Sequence, residues 1–156
     1  MAEGQYVSFR VGEGAYGVEI SRVKEIIAAG EITRVPETPP FVRGVINLRG
    51  RVIPVISLRS LFDLGEGELS AGTRIVVAEL GEISVGLEVD SVLEVTRLAP
   101  EQVEPPSPLI AGRRGGYIKG VAKLKESLLV LLDLDRLLSR EEREAVAEAL
   151  AGGQAG

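Results

Sequence analysis

The 156-residue chain has no cysteine, no histidine and no tryptophan, and only three tyrosines and three phenylalanines. Without cysteine there can be no disulfides and no thiolate metal ligands, so a stapled secreted scaffold is not expected. Without histidine the chain lacks the usual general base, the commonest metal ligand and the side chain that titrates near neutrality. A formal charge of −5 and an aromatic content of 4% supply neither the basic footprint nor the stacking rings that nucleic acids require. Long apolar runs are also missing. The longest, Leu128 to Leu134, is interrupted by Asp133 and is far short of the roughly 18 residues of a spanning helix. The N-terminal Met1-Ala-Glu-Gly-Gln-Tyr6 has neither a basic region nor an apolar one of the kind that directs export. Composition alone therefore argues against most enzymes and nucleic-acid binders. The expectation is a cytoplasmic chain with no direct membrane insertion, no nucleic-acid partner and no cofactor.

What the chain does have is self-similarity. Tyr16-Gly-Val-Glu-Ile-Ser-Arg-Val-Lys-Glu-Ile26 aligns with Val85-Gly-Leu-Glu-Val-Asp-Ser-Val-Leu-Glu-Val95, with Gly17 and Gly86 separated by 69 residues (86 − 17). The run Val42 to Phe62 aligns with Ile118 to Leu138, with Gly44 and Gly120 separated by 76 (120 − 44). The seven extra residues of the second copy are expected within Pro105 to Gly116. A period this long exceeds a solenoid repeat and reads as two copies of one small subdomain.

Each copy has the same order of elements. Tyr6 to Val11 alternates apolar and polar residues and reads as a strand, with a hairpin partner through Tyr16, Val18 and Ile20. A third strand is expected at Val23 to Ala28. The proline-rich stretch Val35 to Pro40, echoed by Pro105-Pro-Ser-Pro108, forces an extended path without ladder donors. Two more apolar runs follow, Val42–Leu48 and Val52–Ile56, turning at Arg49-Gly50, where the glycine supports a positive φ. Ser57 and Asp133 stand at equivalent positions as N-caps of short helices. Ser139-Arg-Glu-Glu142 is a capping box that opens a C-terminal helix, expected over 140–151 and stopped by Gly152-Gly153. The fold class is thus mainly β: two five-stranded barrel subdomains arising by internal duplication, since closure removes exposed edges. Within the single domain 1–156, the first subdomain is placed at about 14–70 with an N-terminal strand 5–12, and the second at about 73–138.

Several motifs could carry chemistry. Gly12-Glu-Gly-Ala-Tyr-Gly17 fits the dinucleotide fingerprint, but that motif must open a helix facing pyrophosphate. Here it opens an alternating strand, so a hairpin turn is the preferred reading. Asp133-Leu-Asp135 could supply half of a hard-metal site, yet no third carboxylate lies at useful spacing, and capping accounts for Asp133. Gly112-Arg-Arg-Gly-Gly116 could form an anion nest, but it falls in the insertion and reads as a surface loop. Glu19 recurs as Glu88 and Glu25 as Glu94, which points to architecture.

Where the copies agree, a residue serves the shared fold; where they diverge, function becomes a candidate. Gly44 is matched by Gly120. Asn47-Leu-Arg-Gly50, however, becomes Lys123-Leu-Lys-Glu126. Only the first copy has a glycine turn with an arginine at its tip, and a planar guanidinium projected from a rigid hairpin makes directed hydrogen bonds. A small-molecule or hydrolytic barrel would instead need convergent ionisable groups, and no triad spacing is present. A nucleic-acid-binding barrel would need a basic aromatic face, whereas Tyr6, Phe9 and Tyr16 follow core periodicity.

The stretch Pro39-Pro-Phe-Val-Arg-Gly-Val-Ile-Asn-Leu-Arg-Gly-Arg-Val-Ile-Pro-Val-Ile-Ser-Leu58 resembles the signature of the bacterial chemotaxis coupling protein family, CheW. The blocks Tyr16 to Ile26, Gly86 to Val95 and Ala99-Pro-Glu-Gln-Val-Glu-Pro105 are similar to that family too, so the likeness runs from about Gln5 to Leu150. The resemblance implies two SH3-like barrels and an adaptor without catalysis. It further implies two partners: the regulatory domain of the histidine kinase CheA and the cytoplasmic tip of methyl-accepting receptors in membrane-associated arrays. By resemblance the receptor-facing positions are Val23, Glu25, Gly44, Asn47, Arg49 and Gly50, near the groove between the barrels. The kinase-facing positions are Val52, Arg74 and Val92, extending toward Ala145. At Arg74 the family more often carries an apolar residue. A paralogue serving a pilus or developmental pathway is the alternative within this reading.

Overall fold

The computed structural model describes residues 4–65, 69–106 and 117–155. The first half of the chain gives β1 (Gly4–Val11), β2 (Gly14–Glu19), β3 (Val23–Ala28), β4 (Val42–Leu48), β5 (Arg51–Ser57) and α1 (Leu58–Leu61). The second half gives β6 (Arg74–Leu80), β7 (Ile83–Val89), β8 (Ser91–Leu98), β9 (Val103–Glu104), β10 (Ile118–Lys123) and β11 (Leu128–Leu132). A helix, α2 (Arg140–Ala155), closes the chain. Two 3-10 turns matter below: Ile20–Arg22 before β3, and Leu134–Arg136 after β11. The glycine fingerprint opens β2, a strand, as the hairpin reading required.

The capping residues act as their chemistry predicts. Ser57 Oγ accepts the Ser60 N–H at 3.2 Å, and Asp133 Oδ1 accepts the Asp135 N–H at 3.0 Å. The Ser139 hydroxyl accepts the Glu142 N–H at 3.1 Å while the Glu142 carboxylate accepts the Ser139 N–H at 2.8 Å, which completes the capping box. One boundary is corrected: α2 runs through Gly152-Gly153 to Ala155 rather than ending at 151. Glycine costs a helix about 1 kcal/mol but, unlike proline, leaves its hydrogen bonds possible. The candidate nest Gly112–Gly116 lies outside the described residues.

The strands form two sheets, ordered β8-β1-β2-β11-β10-β9 and β3-β6-β7-β5-β4. This corrects the division at 14–70 and 73–138, because each sheet draws strands from both halves. Hairpin β1–β2 of the first half sits between β8 and β11 of the second, and β6–β7 of the second sits between β3 and β5 of the first. The exchange obeys the repeat. The parallel pairing Leu131↔Gly17 is the counterpart of Val55↔Gly86, and both copies bulge at the same place, around Lys24 and around Leu93. The pairing partner of a hairpin is set by long-range packing, which no local pattern encodes.

Each sheet closes on itself. The chain leaving β8 returns as β9 on the free edge of β10, with Val103 opposite Ala122. The chain leaving β3 does the same at Thr33, which exchanges backbone hydrogen bonds of 2.8 Å with Val45 on the free edge of β4. Each closed sheet encloses its own small core: Tyr6, Leu98, Ala122, Leu129 and Leu131 in one, and Ile46, Ile53, Val55, Ile75 and Val77 in the other. A larger cluster lies between them and takes in Phe9, Val18, Ile56, Val76, Leu87, Leu132 and Val146. Strands such as β5 and β6 are thus buried on both faces, and this explains their nearly continuous apolar sequence. An aromatic row, Phe9–Tyr16–Phe62–Tyr117, spans strands and turns of both halves, with ring centroids 5.0 to 6.4 Å apart.

Cross-half ion pairs recur as well. Arg43 Nε donates to both carboxylate oxygens of Glu88 at 3.0 Å, and Lys119 Nζ donates to Glu19. Arg43 and Lys119 are repeat partners, as are Glu88 and Glu19. The recurrence of the two glutamates is therefore architectural, and Glu88, only 6% exposed, has its charge compensated.

Because the barrels share hairpins, they should unfold as one unit. Ile75→Ala and Leu131→Ala, one in each barrel core, should each cost roughly 2–5 kcal/mol. Each should lower a single denaturant transition in which hydrogen exchange of both sheets moves together. A variant that loosened one sheet while the other kept its protection would contradict the shared architecture.

Candidate functional site

Hairpin β4–β5 pairs as far as Leu48↔Arg51, which leaves Arg49-Gly50 as a two-residue loop. Both loop residues are left-handed, with φ of 52° at Arg49 and 84° at Gly50. That is the loop geometry whose twist matches the strands it joins. Asn47 Oδ1 accepts the Gly50 N–H at 2.9 Å and pins the turn from inside. At the equivalent turn of the second copy, neither Lys125 nor Glu126 has a positive φ. The divergence seen in sequence is therefore a divergence of backbone shape.

The turn aims the Arg49 guanidinium back across the barrel mouth. Its Nη1 donates to Glu25 Oε2 at 2.5 Å and its Nη2 to Glu25 Oε1 at 3.0 Å, a two-toothed fork. Glu25 lies on β3 and Arg49 follows β4, the two opposite edges of the five-stranded sheet, so the pair spans the closure of that barrel. The Arg49 side chain is 74% exposed and that of Glu25 26%, which leaves one face of the fork open to a partner. The hydrogen bonds from Arg49 hold the Glu25 carboxyl below its ordinary value of 4.5, and Glu25 raises the Arg49 guanidinium further. Around the pair, Ile53 and Val77 floor a shallow groove rimmed by Lys24, Glu25, Arg49 and Arg51. Lys24 Nζ is steadied by Ser84 Oγ at 2.9 Å. An apolar floor with a charged, oriented rim is suited to binding a protein surface.

The remaining expected positions fall out differently. Gly44 offers no side chain; its φ is +148°, and a Cβ there would stand 2.1 Å from the Thr33 carbonyl oxygen. Its glycine is thus required by barrel closure. Val23 is partly buried against the central cluster, opposite Ala78. Val92, its repeat partner, packs on the same cluster from β8. Val52 is half-buried on β5 opposite Asn47. Arg74 opens β6 and donates to the carbonyls of Ala71 at 2.8 Å and Thr73 at 2.9 Å. Ala145 is half-buried on α2, a helix lying against β4 and β5. Glu25, Asn47, Arg49 and Gly50 therefore form one connected unit. Val52, Arg74, Val92 and Ala145 are instead spread over both sheets and the helix.

The groove lined by Glu19, Arg22, Lys119 and Leu132–Asp135 shares no lining residue with the Arg49 groove. Arg22 and Asp135, which sequence reading did not pair, meet there at 2.6 Å. The signal available for such pairs was co-recurrence: basic residues at 43 and 119, acidic ones at 88 and 19.

The sequence matches the CheW-like domain over residues 5–142. It is 35% identical to the chemotaxis protein CheW of Klebsiella aerogenes, over 91% of this chain and 86% of that one. It is 33% identical to protein FrzA of Myxococcus xanthus, over 93% and 91%. The fold matches the crystal structure of the scaffolding protein TtCheW from Thermoanaerobacter tengcongensis with a TM-score of 0.83 at 34% identity, covering 90% of this chain and 96% of that one. A double barrel with an oriented arginine fork at one mouth defines a protein of the binding-scaffold type. The chain belongs to the CheW family. Among the described residues no helix is long and apolar enough to cross a membrane.

Two measurements test the site's construction. Gly44→Ala should destabilise by about 3 kcal/mol or more through the clash at Thr33, whereas Gly50→Ala, facing open space, should cost only about 1 to 2 kcal/mol. In Arg49→Ala, NMR titration should find the Glu25 carboxyl back at its ordinary value. The stabilisation from a depressed carboxyl is complete above its ordinary value and fades as pH falls through the depressed one. Wild type and Arg49→Ala should thus differ in stability at neutral pH and converge in acid.

Proposed function

We propose that this chain is a chemotaxis coupling adaptor that joins the cytoplasmic tip of methyl-accepting receptors to the regulatory domain of the histidine kinase CheA. In this reading it works in the cytoplasm, recruited to membrane-associated receptor arrays, and performs no catalysis itself. The observation that carries the proposal is the Arg49 fork, held on a left-handed turn by Asn47 and Glu25 and present in one copy of the repeat alone.

A receptor tip is a long helical hairpin. An amphipathic helix lays an apolar stripe against the partly exposed Leu48, above the buried Ile53 and Val77, and its polar flank meets the oriented rim. Glu25, Asn47, Arg49 and Gly50 supply the directed contacts. Val23 and Gly44 act from behind, by packing β3 and by letting Thr33 approach β4. The kinase regulatory domain, built like this chain, is assigned to Val52, Arg74, Val92 and the region of Ala145. Coupling then follows from linkage: an adaptor that contacts both partners transmits any preference of one as a preference of the other. A rigid body with shared hairpins passes on such a bias without absorbing it in relative barrel motion.

A second reading, a scaffold of a chemosensory pathway that serves a pilus or development instead of flagella, is favoured by FrzA matching this chain as well as proteins named CheW do. Co-purification of the cognate receptor and kinase from the source cells separates the two.

The test of the site is Arg49→Glu. This variant should melt within a few degrees of wild type, because the pair it breaks is solvent-exposed. It should fail to bring down the receptor tip while still retaining the kinase regulatory domain. Normal receptor capture, or loss of both partners together, would remove Arg49 from the receptor surface.

A further inference from the structure

The two halves are joined by polar sites that are built alike but charged in opposite senses. At the first, Asp90, in the turn between β7 and β8, accepts Nη1 of Arg59 on α1 at 2.8 Å. The same Oδ2 takes the N–H of Gly12, the turn glycine of β1–β2, at 2.8 Å. At the second, Asp135, in the 3-10 turn after β11, accepts Nη2 of Arg22 at 2.6 Å. Gly81, the turn glycine of β6–β7, stands beside Asp135, and its N–H helps hold that carboxyl below its ordinary value. Gly12 and Gly81 are repeat partners, and so are Arg59 and Asp135; Asp90 and Arg22 fall within one residue of equivalence. Each site thus holds a turn glycine, a residue of the short helix that ends one half, and a residue of the turn after the second strand of the other half. In the first site the helix brings arginine and the turn brings aspartate. In the second the roles are reversed.

The other cross-half ion pairs keep their sense. Arg43–Glu88 and Lys119–Glu19 both set a base on the fourth strand of one half against an acid on the second strand of the other. If two copies of this chain paired first half with first half, Arg43 would meet Glu19 just as favourably. The apolar cores would also be served, since their positions recur. The clasps are what would fail. First half against first half would set Arg59 against Arg22, and second half against second half would set Asp135 against Asp90. A looser pair points the same way: Lys24 lies 3.7 Å from Glu79, whose counterpart in the first half is Arg10.

We propose that the reversed polarity of the Arg59–Asp90 and Arg22–Asp135 clasps makes each half complementary to the other half and repellent to its own kind, so that a second copy of this chain is refused as a homotypic partner. Arg22, Arg59 and Asp90 are only 26%, 27% and 33% exposed and Asp135 60%, so like charges brought together there repel, most strongly at low salt, and such repulsion is a usual means of excluding a wrong partner.

The full chain tests this directly. Exchanging the first clasp, Arg59→Asp with Asp90→Arg, preserves an ion pair in the monomer but gives both clasps the same sense. Homotypic pairing then becomes attractive at both ends. The chain's lack of cysteine allows a reporter. Gln5 and Ala28 are exposed, on different sheets, opposite Arg97 and Arg74. Homotypic pairing alone would set Gln5 of one copy opposite Ala28 of another. With Gln5→Cys and Ala28→Cys in both backgrounds, oxidative refolding at high concentration should give about ten times more disulfide-linked dimer in the exchanged clasp than in the native one. The exchanged monomer should fold but melt several degrees below wild type, because Asp90→Arg also removes the acceptor of the Gly12 N–H. The reciprocal exchange, Arg22→Asp with Asp135→Arg, should behave alike and serves if the first variant folds poorly. Equal dimer yields in both backgrounds would overturn the proposal. So would failure of both exchanges to give a folded monomer, since the two clasps would then not be interchangeable.

Discussion

The exchange of hairpins between the two halves is the constraint on which the rest of the molecule depends. Neither half has a complete sheet. β3 and β5 of the first half have no bond between them and are bridged by β6–β7 of the second, and the converse holds for β8 and β11. Once the hairpins are traded, the inward faces of both sheets and the space between them must be apolar at once. The chain therefore needs three adjoining cores from a modest number of residues, and the strands that separate them are buried on both faces. Side-chain volume at those positions is fixed from two directions.

Closure of each barrel follows from the same plan. A sheet whose centre is borrowed has its own strands at its rims, and these are joined by the chain's return at Thr33 and at β9. That return brings β3 near the β4–β5 turn and so sets Glu25 within reach of Arg49. The Arg49–Glu25 fork is thus a by-product of closure: an ion pair spanning the seam, with its arginine held by backbone shape and its orientation by the acid across the gap.

Much of this was legible in the sequence, and the limits have physical reasons. Alternation and turn residues located the strands because each depends on neighbours one or two positions away. The repeat showed the duplication, the equivalence of Ser57 with Asp133, and the oddity of Asn47 to Gly50. The exchange was not visible, since β1–β2 would look the same whether it joined β3 or β8. The Glu25–Arg49 contact was hidden for a related reason: both residues stood out separately, but their meeting depends on curvature across five strands. Gly152-Gly153 read as a stop where the helix continues, because glycine weakens a helix without blocking its hydrogen bonds. Arg43 with Glu88 and Lys119 with Glu19 could have been paired by asking which charges recur together, as a contact conserved across a pseudo-two-fold leaves its mark twice.

The difference between the Arg49-Gly50 turn and the Lys125-Glu126 turn acquires a meaning from this symmetry. An intertwined homodimer of two identical halves would carry every surface feature twice, and each substitution would strike both. With the halves fused in one chain, one turn has kept a left-handed loop and its arginine while the other has taken an unrelated form on the same strand scaffold. Among the described residues the left-handed Arg49-Gly50 turn, with its exposed guanidinium, has no counterpart in the second copy. A ligand that needed that turn would therefore meet a frame of two-fold internal order in a single orientation.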